Sequence, residues 1–309
     1  MRFQDQTPAP TDRIVYASAR LTIGAFRCPV GHPRFHDSGP AEGDIFVFPR
    51  TRVTIQHAGA RSFVADPRTV TFYNKGQVYR RDVVSPDGDR CDWFRVERSL
   101  LLETIRELDS RTESHPERPF RFSHGPSEAA TYLAQRELFL RLASHVPMDP
   151  LGVEEIVAEL LARVLRQTYR ALKRIVPADR EARLAEAEIA ERARFALAKH
   201  YDEPISLGSL AAACGVSHVR LCRAFRKWTG TTLHAYRDQL RLRAALEHLA
   251  SPGTDLTDLA LSLGYSSHSH FSANFRAAFG MTPSDARRRA TAKTLGTLLT
   301  SDRRPSRSS

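Results

Sequence analysis

The chain is poor in cysteine. Four in 309 residues cannot form the dense disulfide framework of a small secreted protein. Cys28 and Cys91 fall in segments that read as β, Cys214 and Cys222 in a segment that reads as helix, and a reducing cytoplasm is the expected compartment. No run of about 18 apolar residues occurs, so no membrane span is expected. The opening, MRFQDQTPAPTDR, lacks the apolar core of a signal peptide. No nucleophile elbow or phosphate loop stands out, so neither catalysis nor a cofactor is expected. Acidic residues are the minority, 35 against 46 Lys and Arg, for a net charge of +11. A chain this basic suits a polyanionic partner, nucleic acid above all, although a merely solvated basic surface gives the same charge.

What is present changes along the chain. Residues 14–97 carry short runs rich in Phe and Val, broken by turn residues: DIFVFPR, RVTIQHAG, TVTFYNKGQVYRR and DWFRVE. They predict short strands within a β-rich domain over 1–126. Residues 127–175 turn to Ala, Leu, Glu and Arg. Leu138 and Leu142, then Ile156, Leu160 and Leu165, mark the stripes of a helical pair, with VPMDPLG between them. Those stripes can bury against the β domain or form a dimer seam. A linker is expected over 176–183, a helical domain over 184–290 and a flexible basic tail over 291–309. In CPVGHPRFH, Cys28, His32 and His36 offer metal-ligating types, with His57 and Cys91 further along. Their spacing matches no closed zinc pattern, so no metal is expected. Metal or thiol sensing by Cys28, His32, His36 and Cys91 is the alternative, and a Cys28–Cys91 switch requires the two to meet in space.

The helical domain contains one unit twice. LGSLAAACGVSHVRLCRAFRKWTGTT stands against LTDLALSLGYSSHSHFSANFRAAFGMT. Leu207, Leu210, Ala211, Gly215 and Ser217 match Leu256, Leu259, Ala260, Gly264 and Ser266. After one inserted residue, Leu221, Phe225, Arg226, Gly230 and Thr232 match Phe271, Phe275, Arg276, Gly280 and Thr282. Each copy predicts a short helix with one buried stripe, a glycine turn, a serine cap (Ser217, and Ser266 or Ser267) and a second helix ending at glycine. That is the helix-turn-helix form, whose second helix enters the major groove. The connector TLHAYRDQLRLRAALEHLAS has no internal Gly or Pro and predicts a helix of about 25 Å. With the width of its flanking units, it can set two reading helices in adjacent grooves about 34 Å apart.

Helical phase sorts the faces. With Leu221 and Phe225 inward, His218, Val219, Cys222, Arg223 and Arg226 face outward. With Phe271 and Phe275 inward, His268, Ser269, Ser272 and Ala273 face out, and His270 points elsewhere. His268 and His270 are about 200° apart on a helix and cannot share a metal ion. Arg223 is the best base reader, because guanidinium binds guanine O6 and N7 together. Arg237, Arg276 and Arg287 to Arg289 suit phosphate contacts, with a solvated surface as the bland alternative. From Ser206 to Arg289 there are eleven Lys or Arg against five Asp or Glu, which supports a sequence-independent electrostatic term.

This region resembles the DNA-binding domain of the AraC/XylS family of bacterial transcription regulators. Gly264-Tyr265, Phe271, Phe275-Arg276, Phe279-Gly280 and Thr282-Pro283 fit the family's C-terminal signature. Ala286 departs from it, where the family usually has an aromatic. The resemblance implies base contacts at Val219, Cys222 and Arg223, and at His268, Ser269 and Ala273. It also implies double-stranded DNA and RNA polymerase as partners, and a homodimer in the cytoplasm associated with the nucleoid. The front half would be a small-molecule sensor on a cupin-like β-barrel, and GDIFVFPR and GDRCDWFRV look like parts of such domains. The expected fold class is α+β: a cupin-like β-barrel with a helical pair, then an all-α domain of two helix-turn-helix units joined by a linker helix. The effector and the sign of regulation, activator or repressor, stay open. Two rival classes are a front-half metalloenzyme with a DNA-targeting tail and an architectural DNA binder without an effector.

Overall fold

The computed structural model describes residues 9–109, 115–144, 147–174, 180–249 and 254–289. Ten strands build the front half: β1 (Thr11–Ala17), β2 (Leu21–Cys28), β3 (Asp37–Ser38), β4 (Ile45–Pro49), β5 (Val53–His57), β6 (Phe63–Ala65), β7 (Thr69–Tyr73), β8 (Tyr79–Val83), β9 (Asp89–Val96) and β10 (His124–Pro126). Three helices accompany them: α1 (Arg98–Arg106), α2 (Ala129–Ala143) and α3 (Pro150–Arg174).

The strands form a six-stranded sheet, β1-β2-β9-β4-β7-β10, and a four-stranded sheet, β3-β8-β5-β6. All pairings are antiparallel. Among the described residues no ladder joins the sheet ends, so the strands form two open, facing sheets and the expected closed barrel is not formed. The edges explain why: β10 is three residues ending in proline, which cannot donate to a further ladder, and β6 is three residues. Inward–outward alternation is common to barrels and sandwiches, so the pattern of side chains could not separate them.

Alternation makes the larger sheet a middle layer. Phe46 and Phe48 of β4, Phe72 of β7 and Phe94 of β9 face the helices and share a core with Leu101, Tyr132, Leu138, Leu160 and Leu165. Val47, Tyr73 and Cys91 point the other way, into a core with Val53, Ile55 and Phe63 of the smaller sheet. The α2 and α3 stripes therefore bury against the sheet, except Ile156, which is 36% exposed.

The rear half holds α4 (Arg180–Lys199), α5 (Leu207–Ala213), α6 (His218–Thr229), α7 (Leu233–Leu249), α8 (Leu256–Ser262) and α9 (His268–Phe279). The α4 helix begins inside the segment read as a linker; 176–179 and the tail 291–309 lie outside the described residues. No helix among the described residues is long and apolar enough to cross a membrane.

The two halves are docked. Val64 and Val84 of the front half enter the core of the first helix-turn-helix unit, and Ala129 and Leu133 of α2 pack on the core of the second. On α7, Tyr236 and Leu240 serve the first unit, Leu242, Ala245 and Leu249 the second, and Leu246 also touches the front-half core. Glu247 closes the contact with charge. It accepts from Arg50 Nε at 2.9 Å and lies 3.3 Å from Arg136 Nε, while Arg136 donates to Asp92 of β9 at 2.6 Å. Burial raises the Glu247 carboxyl, but Arg136 and Arg50 outweigh it and hold the pKa down at about 2.

Candidate nucleic-acid interface

The duplicated sequence folds as a duplicated structure. Helices α5 and α8 have seven residues each, α6 and α9 twelve each. Ser206 and Asp255 cap the first helices by accepting backbone N–H groups, and Ser206 forms a capping box with Ser209. Ser217 caps α6 and Ser267, rather than Ser266, caps α9. Both second helices end on a glycine in the left-handed region, Gly230 at φ 71° and Gly280 at φ 70°. The inserted residue falls in the second turn, after Tyr265, which stands where the first unit has Val216; the Tyr265 ring tilts against Phe271 and its hydroxyl donates to Asp238 at 2.7 Å. One expectation fails locally: Leu207, read into the buried stripe, is 43% exposed, because it opens its helix and has no preceding turn to cover it.

The apolar pairs face inward as expected, and the outward positions are exposed on α6 but only partly so on α9. Leu221, Phe225, Phe271 and Phe275 are fully buried. His218, Val219, Cys222, Arg223 and Arg226 are exposed on α6, with Val219 68% exposed. On α9, Ser269, Ala273 and Arg276 are exposed, and His268 and Ser272 are half-buried, 3.3 Å apart at Nε2 and Oγ. His270 stands edge-on to Tyr265 at 5.5 Å, away from His268. Arg223, Arg226 and Arg276 have no ion-pair partner among the described residues, and neither does Arg220, an exposed side chain one position off the expected stripe. Only its place in the first turn of α6 hinted at Arg220.

The basic count needs revision. Arg241 and Arg243 of α7 are buried. Arg241 donates to the carbonyls of Tyr201 at 2.6 Å and Gly264 at 2.8 Å, and Arg243 to the carbonyl of Ser127 at 2.6 Å. They brace the connector and do not face DNA. Arg237 and Arg287 are half-buried. Nε and Nη2 of Arg287 are buried without a hydrogen-bond partner. Arg288 pairs with Asp285, and Arg289 lies 3.5 Å from Glu137 of α2.

The metal-type residues scatter. Cys28 and Cys91 are buried, free thiols on adjacent strands, but Cys28 pairs across from Asp89 and Cys91 from Phe26. His32 lies on the loop after β2, and the His36 ring meets Arg81 O and Asp82 at the surface. His57 is buried against Tyr73 and held by Gln77 at 2.7 Å. Among the described residues no three His, Cys, Asp or Glu side chains gather as a metal would need.

A family model described as a helix-turn-helix domain matches residues 210–289. The regulatory protein SoxS of Salmonella typhimurium is 40% identical over 91 residues, 29% of this chain and 85% of SoxS. The chain belongs to the AraC/XylS family. The transcriptional activator RhaS of Pectobacterium carotovorum is 34% identical over 94 residues, 30% of this chain and 34% of RhaS. A crystal structure of an AraC-type regulator from Chromobacterium violaceum is 29% identical, covering 35% of this chain and 96% of that one, with a TM-score of 0.33. Most of the AraC/XylS signature turns out to be framework. Phe271, Phe275 and Phe279 form a row of edge-to-face aromatic contacts. Gly264 sits at φ +78°, where an added Cβ would lie 2.3 Å from the Asp202 carbonyl. Ala286, the departure, is half-buried at the edge of this core.

Proposed function

We propose that this AraC/XylS protein is a sequence-specific transcription regulator that reads two adjacent major grooves with α6 and α9, under control of an effector bound by its front half. The observation that carries the reading is the matched pair of helices: equal length, serine caps and terminal glycines alike, and exposed arginines at 223, 226 and 276 without an ion-pair partner among the described residues. On α6, the exposed Val219, Cys222 and Arg223 read bases in this proposal, Arg223 by a bidentate contact to guanine and Val219 by apolar contact with a thymine methyl. On α9, His268, Ser269 and Ala273 take that role with shorter arms, so the second unit reads fewer bases. His218, Arg226, Ser272 and Arg276 lie on these two helices and suit backbone contacts, and the half-buried Arg237 and Arg287 are assigned to phosphates with them. Control by the front half is supported by the docking through α7: a change in the front half moves the element that spaces the two readers. Double-stranded DNA is the partner, RNA polymerase the expected second one, and a homodimer would double the number of readers and raise affinity by effective concentration.

The test is selection of binding sites from random DNA by the full chain at near-physiological salt. Two short enriched blocks about one helical turn apart are expected. Binding without enrichment would leave an architectural binder instead.

A further inference from the structure

A cleft of about 1140 Å³ opens between the front half and the first helix-turn-helix unit. One wall is the turns on either side of β6 and the segment leading into β10; the other is the last turns of α3, Glu191 and Arg194 of α4, the end of α6 and the start of α7. Six Arg or Lys line it against three Glu. Behind this lining the fully buried Asp66 already has its partners: it accepts from the Tyr236 hydroxyl, from the backbone N–H of Arg68 at 2.8 Å and from the Thr69 hydroxyl at 3.2 Å. Arg194 is likewise engaged, donating to Glu191 at 2.7 Å, Tyr236 at 2.9 Å and Thr69 at 2.8 Å.

Arg68 is not so served. Its guanidinium lies 4.3 Å above the Tyr236 ring, and its Nε and Nη1 are buried with no acceptor. Arg243 behind it also has two N–H groups without acceptors. Burial, then the neighbouring Arg68, pushes Arg243 down to about 9. Asp66 offsets part of the charge of both arginines but forms no ion pair with either, and unpaired buried donors are rare in folded proteins. Two further donors that line the cleft lack partners, His57 Nε2 and Trp228 Nε1. Phe122, Leu172 and Trp228 give it an apolar side.

We propose that this cleft binds an organic anion, a carboxylate or phosphate monoester on an apolar body, with Arg68 holding the acid group and the body lying against Phe122, Leu172 and Trp228. That this anion is the effector rests on the control of DNA binding proposed above. The ligand touches the end of α6 directly, so its occupancy bears on the first reading helix without passing through the rest of the front half.

Trp228 supplies the readout. The chain has two tryptophans, and Trp93 lies away from the cleft, donating to Asp12 at 2.7 Å. In the full chain carrying Trp93→Phe, hexanoate, hexyl phosphate and hexanamide are titrated while Trp228 emission is followed, and operator binding is measured in parallel. A saturable response to either acid and not to the amide is expected, and the acid that responds names the acid group. Arg68→Gln should weaken that binding about tenfold or more, the worth of a charge-assisted contact, and Arg68→Lys less. Silence with both acids, an equal response to the amide, or an unchanged affinity in Arg68→Gln overturns the site. If Arg68→Gln does not fold, the acid–amide contrast in the parent chain decides alone. The two ideas separate cleanly. A Trp228 response with unchanged DNA affinity keeps the site and removes the control reading. DNA affinity altered by acid without a Trp228 response does the reverse.

Discussion

Replacing Glu247 with Gln removes one negative charge from the contact that holds the linker helix to the front half and leaves its shape. Glu247 faces Arg50 and Arg136, with side-chain exposures of 13%, 17% and 8%, and the only other carboxylate among these contacts is Asp92, which has none. The magnitude follows from linkage. Burial opposes ionisation of Glu247, the two guanidiniums overcome it, and the folded pKa is about 2 against an unfolded 4.5. A depressed carboxylate stabilises the fold fully above its unfolded pKa and loses that contribution as pH falls through the folded one. At neutral pH the contribution is therefore intact, about 3 kcal/mol from a shift of this size. Breaking one member of a buried ion pair costs about 3–5 kcal/mol, in the same range. Urea unfolding of the full chain at pH 7, followed by tryptophan emission, reads it: Trp93 sits in the front half and Trp228 at the first helix-turn-helix unit. Glu247→Gln should lower stability by about 3 kcal/mol and separate the two transitions, since the halves lose a shared contact. A double-mutant cycle with Arg50→Gln should show coupling of about 1–3 kcal/mol. A Glu247→Gln chain within about 0.5 kcal/mol of the parent, with coincident transitions, would refute the assignment of docking to this charge cluster.

Arg223→Ala should cost about 1–3 kcal/mol in operator binding and relax preference at one or two base positions; unchanged preference in a repeat site selection removes Arg223 from base reading. Gly264→Ala should destabilise the second unit by well over 1 kcal/mol, because it joins positive-φ strain to a clash with the Asp202 carbonyl and the Arg241 guanidinium; thermal unfolding measures it, and a neutral result would mean that this turn yields. His57, 2% exposed, is pushed by burial down to about 4 from 6.5. The unfolded chain therefore takes up its proton first, which costs about 2–3 kcal/mol of stability between pH 7 and pH 4.5, and His124, pushed by burial down to about 3, adds a loss of the same sign; His57→Gln should reduce that slope without abolishing it, and an unaltered slope assigns it elsewhere.

Much of the rear half was legible in the amino-acid order because its determinants are local. Caps at Ser217 and Ser267, C-terminal glycines at 230 and 280, and apolar pairs four apart at 221/225 and 271/275 act within a turn or two of the helix they define. The connector was legible in length and type for the same reason: nothing in Leu233–Leu249 breaks a helix. Its faces were not, since Leu240, Leu242 and Leu246 belong to three different cores. In the front half, alternation marked the strands, but edge pairing decides between barrel and sandwich, and three-residue strands such as β6 and β10 carry almost no signal.

Taken alone, the sequence determined the two helix-turn-helix units and the helical phase of their apolar pairs, because side-chain periodicity and capping chemistry are read over a few residues. Tertiary structure alone decided which charges face solvent. Arg241, Arg243 and Arg194 look like any basic surface residue in the chain, yet their acceptors come from Gly264, Ser127 and Val64, tens of residues away or more. Burial of a charge depends on partners that only the folded chain brings within hydrogen-bond reach, and so do the Glu247 contact and the cleft beside Arg68.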